Sequence, residues 1–240
     1  MCGRYSLTAP AEVVRDLFNY LERPNLGPRA NIAPTQEVAA VRLGADGARH
    51  FVRLRWGLVP AWAKDAGMGA RMINARAETL AEKPAFRDAF RARRCLIAAD
   101  GFYEWKSEGG AKQPYRIARA DGAPFAFAGI WERWDKSPNG GPGGAPLETC
   151  SIVTTEANTR LSEIHPRMPV ILDPGAFAAW LDPATPPAEA RALLAPYPAE
   201  GLVAYRVTRR VNAVANDDLG LIEPLKDGEE SPPGHQPRLL

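Results

Sequence analysis

Cys2 is the residue whose position most restricts its chemistry in this chain of 240 residues. Methionine aminopeptidases trim Met1 when the next side chain is small, and trimming leaves an α-amine and a thiol on one residue. An α-amine has a pKa of about 8, far below that of lysine, so an appreciable part of it is a neutral nucleophile at neutral pH. It can condense with an aldehyde to a Schiff base, and the thiol can then add to the imine carbon and close a thiazolidine ring. A cysteine at this position does not by itself separate such chemistry from an incidental residue.

Three other blocks carry residues of the kind that this chemistry would need. In Asn74-Ala75-Arg76-Ala77-Glu78-Thr79 an amide, a guanidinium and a carboxylate alternate, and an extended segment would put all three on one face. Arg76 offers a planar fork for phosphate, and Asn74 offers both a donor and an acceptor. The plainer alternative is a helix N-cap at Asn74 with Arg76 paired to a surface carboxylate. Glu104 stands among Phe102, Tyr103 and Trp105, where burial would raise its pKa into the range of a general acid or base, unless it is an ordinary surface residue of an alternating strand. His165 is framed by Ile164 and Pro166, with Arg167 two positions on. It could transfer a proton near pH 7 while Arg167 binds phosphate, or it could simply fill a turn.

Composition narrows the setting. With 45% hydrophobic residues, the chain can bury the core of one large domain. A net charge of +2 is slight for a polyanion binder, so any phosphate site must be a local cluster. Three cysteines without a C-x-x-C pair, beside three histidines, indicate neither a disulfide framework nor a metal site. Cys95 and Cys150 lie in apolar runs and are expected to be buried. There is no apolar run long enough for a membrane span and no signal-peptide pattern, so a cytoplasmic protein without membrane contact is expected.

The pattern of elements predicts an α+β class. A helix should begin near Pro10 and pack by Val14, Leu17 and Phe18, and a short one should cover 84–92 with Phe86, Ala89 and Phe90 inward. Strands are predicted at 37–43, 50–59, 95–99, 102–106, 114–119, 125–131, 147–155, 168–172 and 202–207, with helices at 175–181 and 187–194. Short connections imply mainly antiparallel pairing. Residues 135–146 read as a glycine-rich loop, and 226–240 as a disordered tail after one domain over 1–225.

Taken together, Met1-Cys2-Gly3-Arg4-Tyr5, Asn31-Ile32-Ala33-Pro34-Thr35, Trp56-Gly57-Leu58-Val59-Pro60-Ala61-Trp62, Asn74-Ala75-Arg76-Ala77-Glu78-Thr79, Arg94-Cys95-Leu96-Ile97, Gly101-Phe102-Tyr103-Glu104-Trp105 and His165-Pro166-Arg167-Met168-Pro169 resemble the SOS response-associated peptidase (SRAP) family. The order fits as far as Asn212 and Leu221-Ile222-Glu223-Pro224. The resemblance implies an SRAP fold, with mainly antiparallel, open β-barrel-like sheets and flanking helices. It also implies a sensor that shields abasic sites in single-stranded DNA; no cofactor or metal, a nucleoid-associated location and a monomer are expected beside it.

In that family Cys2 would be the crosslinking residue, Asn74 would orient it and the sugar, Glu104 would manage the amine's protons, and His165 would protonate the sugar ring oxygen. Arg76 and Arg167 would hold flanking phosphates, and Arg4, Pro34, Trp62 and Thr154 would line the DNA groove. Certain members carry two adjacent tryptophans where this chain has Trp62-Ala63, and residues 65–71 are slightly long, bringing Arg71 near the site. The residues also leave open a cysteine peptidase built on Cys2, His165 and Asn74, whose expected cut would release Met1. An N-terminal-nucleophile amidotransferase and a non-covalent nucleic-acid-binding module also remain open.

Overall fold

Short connections between strands force neighbours to pair antiparallel, and a sheet whose two outer strands meet loses its edges by closing. The computed structural model describes residues 2–135 and 146–226. The chain runs through β1 (Tyr5–Leu7), α1 (Ala11–Phe18), β2 (Arg29–Ile32), β3 (Glu37–Leu43), β4 (Arg49–Trp56), β5 (Asn74–Arg76), α2 (Arg87–Ala92) and β6 (Arg94–Ala99). It continues through β7 (Gly101–Glu108), β8 (Ala111–Arg119), β9 (Phe125–Trp134), β10 (Leu147–Glu156), β11 (Arg167–Pro169), β12 (Ile171–Leu172), α3 (Phe177–Leu181), α4 (Pro187–Ala192) and β13 (Leu202–Arg206).

Strands β10, β4, β3, β6 and β9 pair in that order, and β9 returns to β10, which closes a five-stranded barrel. A second sheet, ordered β13-β8-β7-β1-β2, is antiparallel throughout. The α+β class and mainly antiparallel sheets are as the sequence predicts, and the barrel-like sheet is closed rather than open. The parallel pairings among the described residues are those of β10 with β4 and with β5. Because β10 also meets β9 and β11, it is the strand around which the chemistry-bearing blocks gather.

Most predicted elements are present. Helix α1 buries Val14 and Phe18 and half-buries Leu17; it ends where Asn19 turns left-handed, which leaves Leu21 exposed. The stretch 168–172 divides into β11 and β12, because its two halves pair with different strands, β10 and β9. Strands β1, β2 and β5 are three or four residues long, too short for alternation to reveal. Asn74 opens β5 and is not a helix cap; Ala77–Thr79 is a 3-10 turn, so Glu78 leaves the extended face that Asn74 and Arg76 would have shared with it. The glycine-rich segment at 136–145 and the tail from 227 lie outside the described residues. Cys95 and Cys150 are fully buried, as expected.

Buried polar joints fix the ends of these elements. Asp100 accepts from Ser6 Oγ at 2.6 Å, Thr8 Oγ1 at 2.8 Å and Arg116 at 3.1 Å, locking β1 to the corner between β6 and β7. Arg94 donates to the carbonyls of Phe90 and Trp180, at the ends of α2 and α3. Gly57 has φ +124°, and a Cβ there would lie 2.6 Å from Gly69 O, so the turn after β4 packs backbone to backbone on the segment before β5. Gly57→Ala should therefore destabilise the protein by about 1–3 kcal/mol through overpacking. Urea unfolding measures the loss; a change within about 0.5 kcal/mol would show that this contact is not tight.

Candidate functional site at the N-terminus

Residue 2 is fixed from two directions. On one side, β1 pairs with β7, Tyr5 opposite Phe102, and the ladder continues as Tyr103 N–H donates to Arg4 O at 3.0 Å. This register carries the start of the chain alongside Glu104. On the other side, β5 runs parallel to β10, with Asn74 opposite Ile152. Ile73 O accepts from Ile152 N–H at 3.0 Å and from Trp56 Nε1 at 2.8 Å, which pins the backbone just before Asn74. Asn74 Nδ2 then donates to Cys2 O at 2.8 Å. Its Oδ1 is buried with no hydrogen-bond partner among the described residues.

Burial moves every titratable group here toward its neutral form. Cys2 is fully buried, with Sγ 3.8 Å from Arg4 O; burial, reinforced by the charge of Glu104, pushes its thiol well above the usual range. Burial likewise raises the Glu104 carboxyl from 4.5 to about 7. His165 Nδ1 lies 4.0 Å from Glu104 Oε1. That Nδ1 lies 3.0 Å from both the N–H and the carbonyl oxygen of Arg167, so the Arg167 backbone can serve either tautomer of the neutral ring. Burial lowers the pKa of His165 and outweighs the Arg167 backbone, which favours the charged ring.

The groups predicted to meet DNA are more scattered. Arg167 donates to both Glu78 oxygens, at 2.6 and 2.9 Å, and to Thr154 O at 2.8 Å. Arg76, opposite Thr154 in register, is exposed. Thr154 is fully buried. Arg4 turns into the protein and donates to Asn31 Oδ1 at 3.0 Å, Val211 O at 2.6 Å and Asn212 O at 3.1 Å. Pro34 is half-buried beside Thr35, a β-branched residue held at φ +71° while its N–H donates to Trp56 O at 2.8 Å. Trp62 is 53% exposed and lines an open cavity of about 630 Å³ with Lys64, Met68 and Arg71.

The structure thus brings Cys2, Asn74, Glu104 and His165 together, gathers Arg167 and Thr154 with Arg76 near the end of β10, and leaves Pro34 and Trp62 on the surface. Sequence reasoning assigned no role to Glu78, Asn31 or Asn212, although all three fall in or beside quoted motifs. Asn31 Nδ2 donates to the carbonyls of Val211, Ala213 and Asn216, and Asn212 Oδ1 accepts from Trp105 Nε1 at 2.8 Å. Among the described residues no cluster of His, Cys, Asp or Glu is arranged to hold a metal ion, and no helix is long and apolar enough to cross a membrane.

Known proteins are similar to this one over most of the chain. Residues 1–214 match the family model described as SOS response associated peptidase (SRAP). The abasic site processing protein YoqW of Bacillus subtilis is 43% identical, over 93% of this chain and 99% of its own. The abasic site processing protein HMCES of Gallus gallus is 31% identical, over 95% of this chain and 79% of its own. A crystal structure of a Bacteroides thetaiotaomicron protein superposes with a TM-score of 0.83 at 27% identity, covering 94% of this chain and 100% of that one.

The raised pKa of Glu104 has a measurable sign. The fold favours the protonated carboxyl, so this contribution to stability is complete below about pH 4.5 and is lost as pH rises through about 7. Wild type should therefore lose stability relative to Glu104→Gln between those values and no further above them. Urea unfolding of both proteins across the range tests this, and parallel pH curves would show that Glu104 titrates like an exposed carboxylate.

Proposed function

The chain belongs to the SOS response associated peptidase (SRAP) family, and from that premise we propose that it processes abasic sites in single-stranded DNA by joining them to Cys2 as a thiazolidine. The observation that carries this reading is the 2.8 Å bond from Asn74 Nδ2 to Cys2 O, which fixes residue 2 beside a carboxyl poised near neutrality and a neutral imidazole. The names of the relatives support the substrate, and the need for a free α-amine means that Met1 must first be removed. A peptidase-type step of the chain itself is assigned to that removal.

The steps follow from the protonation states. As the abasic hemiacetal opens to its C1′ aldehyde, the protonated fraction of His165 gives a proton to the sugar ring oxygen while the ionised fraction of Glu104 takes the proton of the C1′ hydroxyl, and Glu104, 4.0 Å from the ring, then returns that proton to His165. The thiol rests protonated because it is buried, so the α-amine, with its lower pKa, attacks first. The ionised fraction of Glu104 takes a proton from the nitrogen, and its protonated form returns one to the departing hydroxyl as the carbinolamine becomes an imine. The thiol then adds to the imine carbon and its proton ends on the nitrogen, so that aldehyde, amine and thiol give a thiazolidine and one water. Asn74 Oδ1, a buried acceptor, orients the amine.

Around the lesion, Arg76 and Arg167 receive phosphates, and Pro34 and Trp62 offer faces to unpaired bases. Arg4 and Thr154 act through what they hold: Arg4 secures the start of β1, and the Thr154 carbonyl aims Arg167.

On a denaturing gel, the Met1-trimmed protein should give a shifted band with an abasic single-stranded oligonucleotide and none with an intact one. Cys2→Ala and protein retaining Met1 should give no band, and Asn74→Ala should slow its appearance at least roughly tenfold, in line with the loss of a positioning group. A band that survives Cys2→Ala, or none from wild type, rejects the proposal. Glutamine hydrolysis without DNA would point instead to an amidotransferase.

A further inference from the structure

The Arg167 fork is already filled. Its two terminal nitrogens meet the two oxygens of Glu78 at 2.6 and 2.9 Å, the bidentate geometry with which arginine also receives a phosphate. One of those nitrogens keeps a separate bond to Thr154 O at 2.8 Å, which would hold the fork in place if the carboxylate left. Nε of Arg167 is buried without a hydrogen-bond partner. The two members of the pair differ in exposure: the side chain of Arg167 is 15% exposed and that of Glu78 is 45% exposed. The cation is fixed by the protein, and the anion stands on its solvent side. Arg76, two residues before Glu78, is exposed and makes no ion pair among the described residues.

A bridge that only pinned the Ala77–Thr79 turn to β11 would not need a pre-aimed, phosphate-shaped fork on the residue whose backbone holds His165. We propose that Glu78 is an internal stand-in for a DNA phosphate, filling the Arg167 fork in the free protein and giving way to a backbone phosphate flanking the abasic nucleotide. The inference rests on the reading of the chain as an abasic-site processing protein, since that strand supplies the phosphate. The exchange is one anion for another, each presenting two oxygens to the same fork, so no charge is left buried and unpaired at its end. Its consequence is that Glu78 lowers the affinity for any single strand by the strength of the bond that must be given up. Arg76 feels the charge of Glu78 but holds no carboxylate in its fork, so it can make the first contact.

The test is the affinity of the full chain for an intact single-stranded oligonucleotide, followed by fluorescence anisotropy at fixed ionic strength. Glu78→Gln should bind tighter by roughly two- to tenfold, the range expected when a partly exposed ion pair no longer competes. Glu82→Gln removes the same charge from a nearby exposed position and should change affinity by less than about twofold. In an Arg167→Gln background the gain from Glu78→Gln should vanish. The inference is overturned if Glu78→Gln binds no tighter, if Glu82→Gln gives an equal gain, or if the gain persists without Arg167. Should Arg167→Gln fail to fold by circular dichroism, the Glu82 comparison decides alone. Wild type that binds no single strand takes this inference down with it. Wild type that binds but yields no abasic adduct on a denaturing gel sinks the capture chemistry while leaving the Glu78 result readable.

Discussion

The carbonyl of Cys2 accepts a hydrogen bond from Asn74 Nδ2, and the rest of the site depends on where the two ends of that bond originate. Chain termini ordinarily fray, because few contacts offset the entropy of ordering them. Here residue 2 is held between two sheets. One end of the bond belongs to β1, aligned by β7; the other belongs to β5, aligned by β10. A single such bond is worth only about 1 kcal/mol net. Its value is geometric, because it sets the position of an α-amine that exists only once Met1 is gone.

Burial does the rest by keeping charge away from the reacting centre. The thiol and the Glu104 carboxyl are pushed up and the His165 imidazole down, so near pH 7 the site holds a protonated thiol, a half-ionised carboxyl and an uncharged ring. Such a site can pass protons without first stripping water from fixed ions. The permanent charges, Arg76 and Arg167, stand apart near the end of β10 and are suited to a polyanion's backbone. The net charge of +2 conceals this division, since the basic groups that matter are two residues and one of them is already paired.

Much of this was legible in the sequence wherever residue type and local pattern carry the signal. Strand β3 coincides with its predicted bounds, and the burial of Glu104 is one of the two readings that its aromatic neighbours left open. The blocks around Cys2, Asn74, Glu104 and His165 could be named, but no spacing rule could show that they meet, because they lie on elements joined by the β1–β7 ladder and by the pairing of β5 and β11 with β10. Strand β5 was hidden by its length, and the role of Glu78 by its ordinary appearance as the third member of an alternating polar run. Arg4 shows the opposite difficulty. It looks like a phosphate ligand, yet its partners are two main-chain carbonyls and an asparagine, and carbonyls leave no mark in a sequence.

Those carbonyls explain why the family pattern reaches Asn212. Strand β1 has three residues and could not by itself hold the chain start rigid. The segment 211–217 lies across it as a strap: Val211 O accepts from both Arg4 and Asn31, Asn212 O accepts from Arg4, and Asp217 accepts the backbone N–H groups of Ala30 and Asn31 at 2.6 and 2.8 Å. Asn212 Oδ1 then reaches Trp105, the neighbour of Glu104. One strap therefore fixes both the segment that leads from Cys2 into β1 and the strand that carries Glu104. The proposed chemistry requires the N-terminus to be tied down, and here a segment some 200 residues away helps to hold it.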